Sequence, residues 1–444
     1  MRQSNDGMLG AMPVPRLVVT MSLPIMLSML ISAVYNLVDS VYVAQYSDEA
    51  FLALSYAYPI QMLLVAFCSG IGVGFSAIFS RRLGEGDQEQ AASAVCHGFF
   101  LYGLCWLLFL LFALTGAAPF LRLSTEDPSV ARQGAQYLLI CCGLSIGTCM
   151  QFLTERILQA MGRPAGFMIV QGSGAILNLI LDPIFIFVLD LGVAGAAAAT
   201  VIGQISGALI GFWLVYRLRR QLPIRLRGFR PRGEMLAEMG RVAAPAVVMQ
   251  SLSSFMSLGL NQLLTRWSES AVFVLGAYFK LQTFIFMPIF GISSGLIPIL
   301  SYNYGSGALR RVSASVRFGQ QFTAVLSLSG ALLLSLLASP LLRSAFRASP
   351  EALAMAAPAL RIIALSFFFA GTSIIFCSAF QSLGRSRWSL LVALLRQILL
   401  LLPAAALLLA LKPALVWAAF PLSELISCFA AALLYRRTIQ KQLL

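Results

Sequence analysis

Charge is scarce in this chain of 444 residues: Asp, Glu, Lys and Arg make up 11% of it, and there is 1 histidine, His97. Lysine occurs only as Lys280, Lys412 and Lys441, none of them preceded by glycine. The chain therefore has no phosphate-cradling Walker A loop, and ATP is excluded as its own energy source. No HExxH and no Cys/His cluster appears either, which argues against a zinc enzyme or a zinc centre. No polar stretch is long enough to fold as a soluble domain.

What fills the chain instead is apolar: 59% of residues are hydrophobic and mean hydropathy is +0.85, the composition of an integral membrane protein. Cutting at charged or Pro/Gly-rich linkers leaves about twelve runs of bilayer-crossing length. The first six cover 17–43, 51–79, 91–115, 131–157, 165–189 and 192–216. The second six cover 234–265, 271–300, 312–338, 353–380, 388–410 and 414–435. The expected fold is an all-α polytopic membrane protein. The opening MRQSNDGMLGAMPVPR is polar, and the apolar run after it has no small-residue cleavage site, so it reads as a first span and not as a secretory signal.

The 31 basic residues outnumber the 17 acidic ones, for a net charge of +14. Their placement decides what that excess means. Arg81 and Arg82, Arg163, the run over 217–232, Arg310 and Arg311, Arg385 and Arg387, and Arg436 and Arg437 fall in every second linker. That alternation is the positive-inside pattern and not a nucleic-acid patch; it puts both termini in the cytoplasm. The other linkers hold Asp48, Glu49, Glu126, Asp127, Asp190 and Glu269, with Arg122, Arg266, Arg343 and Arg347 diluting the contrast. The 8 cysteines lie mostly within apolar segments with no metal-ligand spacing and read as small reduced hydrophobes.

Sliding the sequence on itself by about 221 positions aligns its two halves. Pro24 meets Pro245, Gly70 meets Gly291, Gly74 meets Gly295, and LGEGD around Gly86 meets YGSGA around Gly307. One residue further out of step, Gln159, Gly162 and Arg163 meet Gln381, Gly384 and Arg385. Six spans per half makes these parallel repeats, with lobes at 1–217 and 234–444 joined by a basic cytoplasmic linker at 218–233. Two such bundles facing a common cleft suit a carrier better than a membrane-embedded enzyme.

Asp182 stands in the apolar run GAILNLILDPIFIFV. A carboxylate at the bilayer centre costs roughly 2.5–3.5 kcal/mol on insertion scales, so it faces the protein and has a partner. Asn178, four residues earlier, shares its helical face, and Pro183 has no N–H to give the Leu179 carbonyl. In YNLVDS, Tyr35 and Asn36 share a face with Asp39, which is either part of a second constellation or a solvated helix-end carboxylate. Lys280 in the eighth span and Arg396 in the eleventh are either structural tethers or cleft-lining charges, with Glu424 a candidate partner for Arg396. Glu155 and Arg156 read as the cytoplasmic end of the fourth span, and His97 as a helix-end residue. The Gly70/Gly74 and Gly291/Gly295 pairs have the small-xxx-small spacing of close helix packing.

PIMLSMLISAVYNLVDSVYVA, SRRLGEGD, QAMGR, LNLILDPIF and FMPIFGISSGLIPILSYNYG together resemble the multidrug and toxic compound extrusion (MATE) family, over essentially the whole chain. The second half is most similar to its MepA-like bacterial branch, with the DinF-like branch near it. The resemblance implies a cation-coupled antiporter, driven by H⁺ or Na⁺ and without a cofactor, that exports organic cations and lipophilic drugs by alternating access. It implies a cation site at Asp39, Asn178, Asp182 and Thr200, the last in AAAATVIG, which is also the one place a metal ion, Na⁺, is expected. It makes Pro24 the position at which the first helix bends. The acidic residues of the NorM-like branch have no counterpart in 250–262 or 362–380. A monomer in a bacterial inner membrane, contacting lipid and no nucleic acid, is expected. The alternative is a flippase for lipid-linked oligosaccharides or other lipids on the same two-bundle layout, toward which Lys280 and Arg396 point.

Overall fold

Among the described residues every regular element is a helix, as lipid requires: each backbone N–H and C=O must be satisfied within its own segment. The structure is a computed structural model that describes residues 8–218, 229–344 and 350–440. Most of the basic linker, 219–228, lies outside the described residues, as do Arg347 and Lys441.

Ten helices are long and apolar enough to cross a membrane, or up to 12 when each of two bent pairs is taken as one span. In chain order the first three are Val14–Tyr46, Asp48–Glu85 and Gln88–Thr115. The fourth is the bent pair Pro128–Gly143 with Ile146–Ala160, followed by Pro164–Val188 and Gly192–Arg217 as fifth and sixth. The second half repeats the order: Gly233–Thr265, Ser270–Gly305, Leu309–Leu337, the bent pair Leu353–Ala364 with Phe367–Ser382, Ser386–Leu411 and Pro413–Ile439 are the seventh to twelfth. Outward faces carry exposed apolar rows such as Leu107, Leu111 and Leu114 in the third span and Leu328, Leu332 and Leu336 in the ninth. These are surfaces for lipid tails.

The fourth and tenth spans, each a single run in the sequence, are pairs of helices bent by 43°. The cause is the same in both. Ser145 donates its Oγ to the Cys142 carbonyl at 2.7 Å, and Ser366 donates to the Ile363 carbonyl at 2.6 Å. Each hydroxyl competes for a backbone acceptor and opens the ladder at that turn. The fifth span answers Pro183 differently: the helix runs through it and widens into a π turn at Ile184–Val188, which absorbs the missing donor.

The repeat reaches down to caps. Ser47 and Ser268 each accept a hydrogen bond from the N–H three residues on, Ala50 at 3.0 Å and Ala271 at 3.1 Å. Gly86 and Gly307 sit at φ 77° and 74°, and Gly162 and Gly384 at 71° and 72°, a region open mainly to glycine.

Contacts divide the chain into two units within which packing is dense. One is Leu27–Val247 with the residues before Met12; the other is Val248–Leu444 with Met12–Met26. The divisions fall just past Pro24 and Pro245, inside the first and seventh spans. The paired glycines show what holds these exchanged segments. A Cβ on Gly70 would lie 2.4 Å from Val247, and one on Gly74 2.6 Å from the Met239 carbonyl. In the other unit, a Cβ on Gly291 would lie 2.6 Å from Met26 and one on Gly295 2.8 Å from Ser22. Each unit thus packs the beginning of the other half's first helix against a glycine stripe. In the first unit's core the thiols of Cys68, Cys105 and Cys149, from the second, third and fourth spans, lie within 4.8 Å of one another.

Candidate functional site

The polar interior of the first unit is assembled by its first, fourth, fifth and sixth spans. The fifth and sixth can approach closely because glycines face each other: a Cβ on Gly203 would lie 2.7 Å from the Gly174 carbonyl and 3.3 Å from Asn178 Cβ. That approach lets Asn178 bridge the two helices. Its Nδ2 donates to Asp182 Oδ1 at 3.1 Å and to Thr200 Oγ1 at 3.4 Å. Asn178 is 3% exposed and Asp182 0%.

Asp39 joins them from the first span. It is buried, so the structure takes it away from the solvated helix-end reading, and it lies within electrostatic reach of Asp182. Three oxygens here, Asp39 Oδ1, Asn178 Oδ1 and Asp182 Oδ2, are buried and receive no hydrogen bond. Buried polar atoms are nearly always partnered. Oxygens gathered without donors, two of them on carboxylates, have the chemistry of a proton or hard-cation site.

A cavity of about 20 Å³ borders Asn178, lined also by Tyr35, Gln151, Gln171, Thr200 and Gln204, with Gly174 and Ala175. That is room for about one water or small ion. Tyr35 thus lines this cavity, whereas Asn36 is exposed and spends its amide on the Ser32 carbonyl of its own helix at 2.8 Å.

The amides of this cavity, and the carboxylate behind it, are what a reading of the sequence misses. Gln151 Nε2 donates to Glu155 Oε1 at 2.9 Å and to Gln171 Oε1 at 3.3 Å. Gln171 Nε2 in turn donates to Ser32 Oγ on the first span, and Thr148 donates to Gln204. Glu155 and Arg156 lie within the last two turns of the fourth span, which ends at Ala160, but inside the bundle. They are 2% and 6% exposed. The available signal was the pair Gln151 and Glu155 at i, i+4 in an otherwise apolar run.

The basic candidates belong to the other unit. Arg396, in the π turn Leu395–Leu399, gives Nε and Nη2 to Glu424 Oε1 at 3.0 and 2.8 Å. Its charge is therefore met within the bundle. Lys280 is exposed in the eighth span. His97 is buried and satisfied on both nitrogens: Nδ1 lies 2.8 Å from the Ser93 carbonyl, and Nε2 accepts the Arg232 backbone N–H at 2.9 Å. With Phe229 edge-on to its ring at 4.8 Å, it holds down the end of the linker.

Comparison with known proteins agrees with this architecture. The multidrug export protein MepA of Staphylococcus aureus is 26% identical over 402 residues, covering 88% of this chain and 86% of that protein. A FAD transporter of Shewanella oneidensis is also 26% identical, over 421 residues, covering 91% of this chain and 90% of that one. Among solved structures, an outward-facing multidrug resistance MATE transporter superposes with a TM-score of 0.93 at 23% identity, covering 99% of both chains. A transporter of the same superfamily from Pyrococcus furiosus, described as having a binding pocket of reversed polarity, gives 0.91 at 23% identity. The MatE family model matches twice, at residues 24–184 and 245–407, once for each half of the repeat. The chain belongs to the MATE family.

Proposed function

We propose that this protein is a cation-coupled multidrug efflux antiporter of a bacterial inner membrane. It exports organic cations and lipophilic drugs in exchange for H⁺ or Na⁺. The observation that carries the reading is the set of buried donor-free oxygens on Asp39, Asn178 and Asp182, with Asn178 and Thr200 lining a cavity of ionic size. The family and the resemblance to a multidrug export protein supply the substrate class.

The lobes at 1–217 and 234–444, joined by the 218–233 linker, expose the drug path alternately to the two sides, working as a monomer with both termini in the cytoplasm. In the outward-open state the cation enters the Asp39–Asn178–Asp182–Thr200 cluster and cancels its negative charge. A drug-loaded state that disfavours the bound cation then releases its cargo outward, since two ligands that favour different states weaken each other reciprocally. Pro24 and Pro245 stand where helix segments pass from one unit to the other and serve as hinges. No step breaks a covalent bond, so neither a cofactor nor a catalytic residue is needed.

A second reading has one observation in its favour. The FAD transporter among the relatives points to an anionic cargo, as a flippase for lipid-linked oligosaccharides also requires. Arg396 gives this less support than its sequence position suggests, because Glu424 already neutralises it. Proteoliposomes decide between them. Under an imposed inward H⁺ or Na⁺ gradient, ethidium export with no FAD movement is the expected result. FAD or lipid movement without ethidium export would transfer the site to an anionic substrate.

A further inference from the structure

Glu155 is a buried carboxylate that the cation site described above does not use. It is 2% exposed, and among the described residues its hydrogen bond comes from Gln151 Nε2 at 2.9 Å and no basic nitrogen lies within ion-pair distance of it. The buried Arg156 guanidinium lies within electrostatic reach of it but forms no ion pair with it among the described residues, so the charge of an ionised Glu155 is met only in part. Gln151 also lines the cavity that Asn178 and Thr200 line, so Glu155 lies one amide away from the space into which the coupling cation would enter.

The groups around it act in both directions: the Arg156 guanidinium opposes a second cation, and the polar lining of the cavity favours one. Arg156 follows it on its own helix, and Tyr35 of the first span lies within electrostatic reach of Glu155, Asp39 and Asp182 together. The fifth and sixth spans present neutral amides to the cavity, Gln171 and Gln204. Gln151 itself is held in a slot left by glycine, since a Cβ on Gly207 would lie 3.1 Å from its Cδ. That fixes the amide between cavity and carboxylate.

We propose that Glu155 is a second cation subsite of this lobe, holding one H⁺ or alkali cation in addition to the one shared by Asp39 and Asp182, so that two cations enter for each drug exported. The inference rests on the cation-coupled reading above. Its consequence is electrical. Exchanging one cation for one monovalent organic cation moves no net charge, whereas exchanging two for one carries one positive charge inward per cycle.

Proteoliposomes clamped at zero membrane potential and given a tenfold inward gradient of the coupling cation provide the test. The ratio of a monovalent dye such as ethidium at which net flux vanishes should be about 100-fold for the wild type, two tenfold factors multiplied, and about tenfold for Glu155→Gln. A wild-type ratio near tenfold, or an unchanged ratio in Glu155→Gln, would overturn the proposal. A wild type that no cation gradient drives would instead sink the coupling reading on which it rests. Should Glu155→Gln fail to reach the membrane, the wild type is labelled with a hydrophobic carbodiimide, which reacts with protonated carboxyls. Glu155 should then be labelled without drug and protected by saturating ethidium. No labelling, or labelling indifferent to drug, counts against a cation subsite.

Discussion

At the scale of single residues, the first unit concentrates carboxylates and amide oxygens where lipid-exposed helices afford no water. Asp182 and Asn178 can be read from sequence because an aspartate in an apolar run is costly and an asparagine four residues away shares its face. Thr200 cannot; a threonine in an alanine-rich helix carries no such signal, and only the family resemblance singled it out. Gln171 and Gln204, which join Gln151 around the cavity, were invisible for another reason. Each is unremarked on its own helix, and they form a network only because three spans converge. Thr200→Val removes one neutral oxygen from the cluster, a change worth about 1 kcal/mol. The cation concentration giving half-maximal export should rise roughly five- to tenfold, with ethidium affinity in the cation-free state unchanged. A matching fall in both would place Thr200 in the drug path.

At the scale of elements, most helices and their order were legible, since apolar runs of bilayer length admit little else. Kinks were not, because Ser145 and Ser366 act through a choice of acceptor that a hydropathy pattern does not encode. Close packing makes sharper predictions. Gly203→Ala would drive a Cβ into the Gly174 carbonyl, a backbone atom that cannot rotate away. The fifth and sixth spans must separate, costing about 1–3 kcal/mol and lengthening the Asn178–Thr200 contact. Gradient-driven export should fall while the protein still reaches the membrane; unimpaired export would mean that this contact is dispensable. The Arg396–Glu424 pair behaves as a tether: its side chains are 12% and 13% exposed. Glu424→Gln leaves a nearly buried guanidinium uncompensated and should destabilise the second unit by about 3–5 kcal/mol. Arg396→Met with Glu424→Leu should recover most of that in a thermal-unfolding assay. A double variant as unstable as the single one would argue against the pair as the source.

At the scale of the whole molecule, the repeat seen in the sequence recurs in caps, left-handed glycines and kinks, yet the exchange of first-helix segments between units was not legible. Sequence similarity marks which residues correspond, not which of two like bundles a segment packs against. Because Met12–Met26 packs in one unit and the stretch up to Val247 in the other, neither half is complete by itself. Fragments 1–217 and 234–444 expressed separately should be degraded, and co-expression should restore both; stable separate halves would mean that the exchanged segments contribute little. The central claim is that the buried carboxylate of Asp182 couples cation entry to drug exit. The most direct measurement is ethidium export by wild type and Asp182→Asn in proteoliposomes, under a pH gradient and then a Na⁺ gradient. Export by the wild type under one gradient, with the variant inserted, folded and at least tenfold slower, is the expected result. Full gradient-driven export by Asp182→Asn would contradict it.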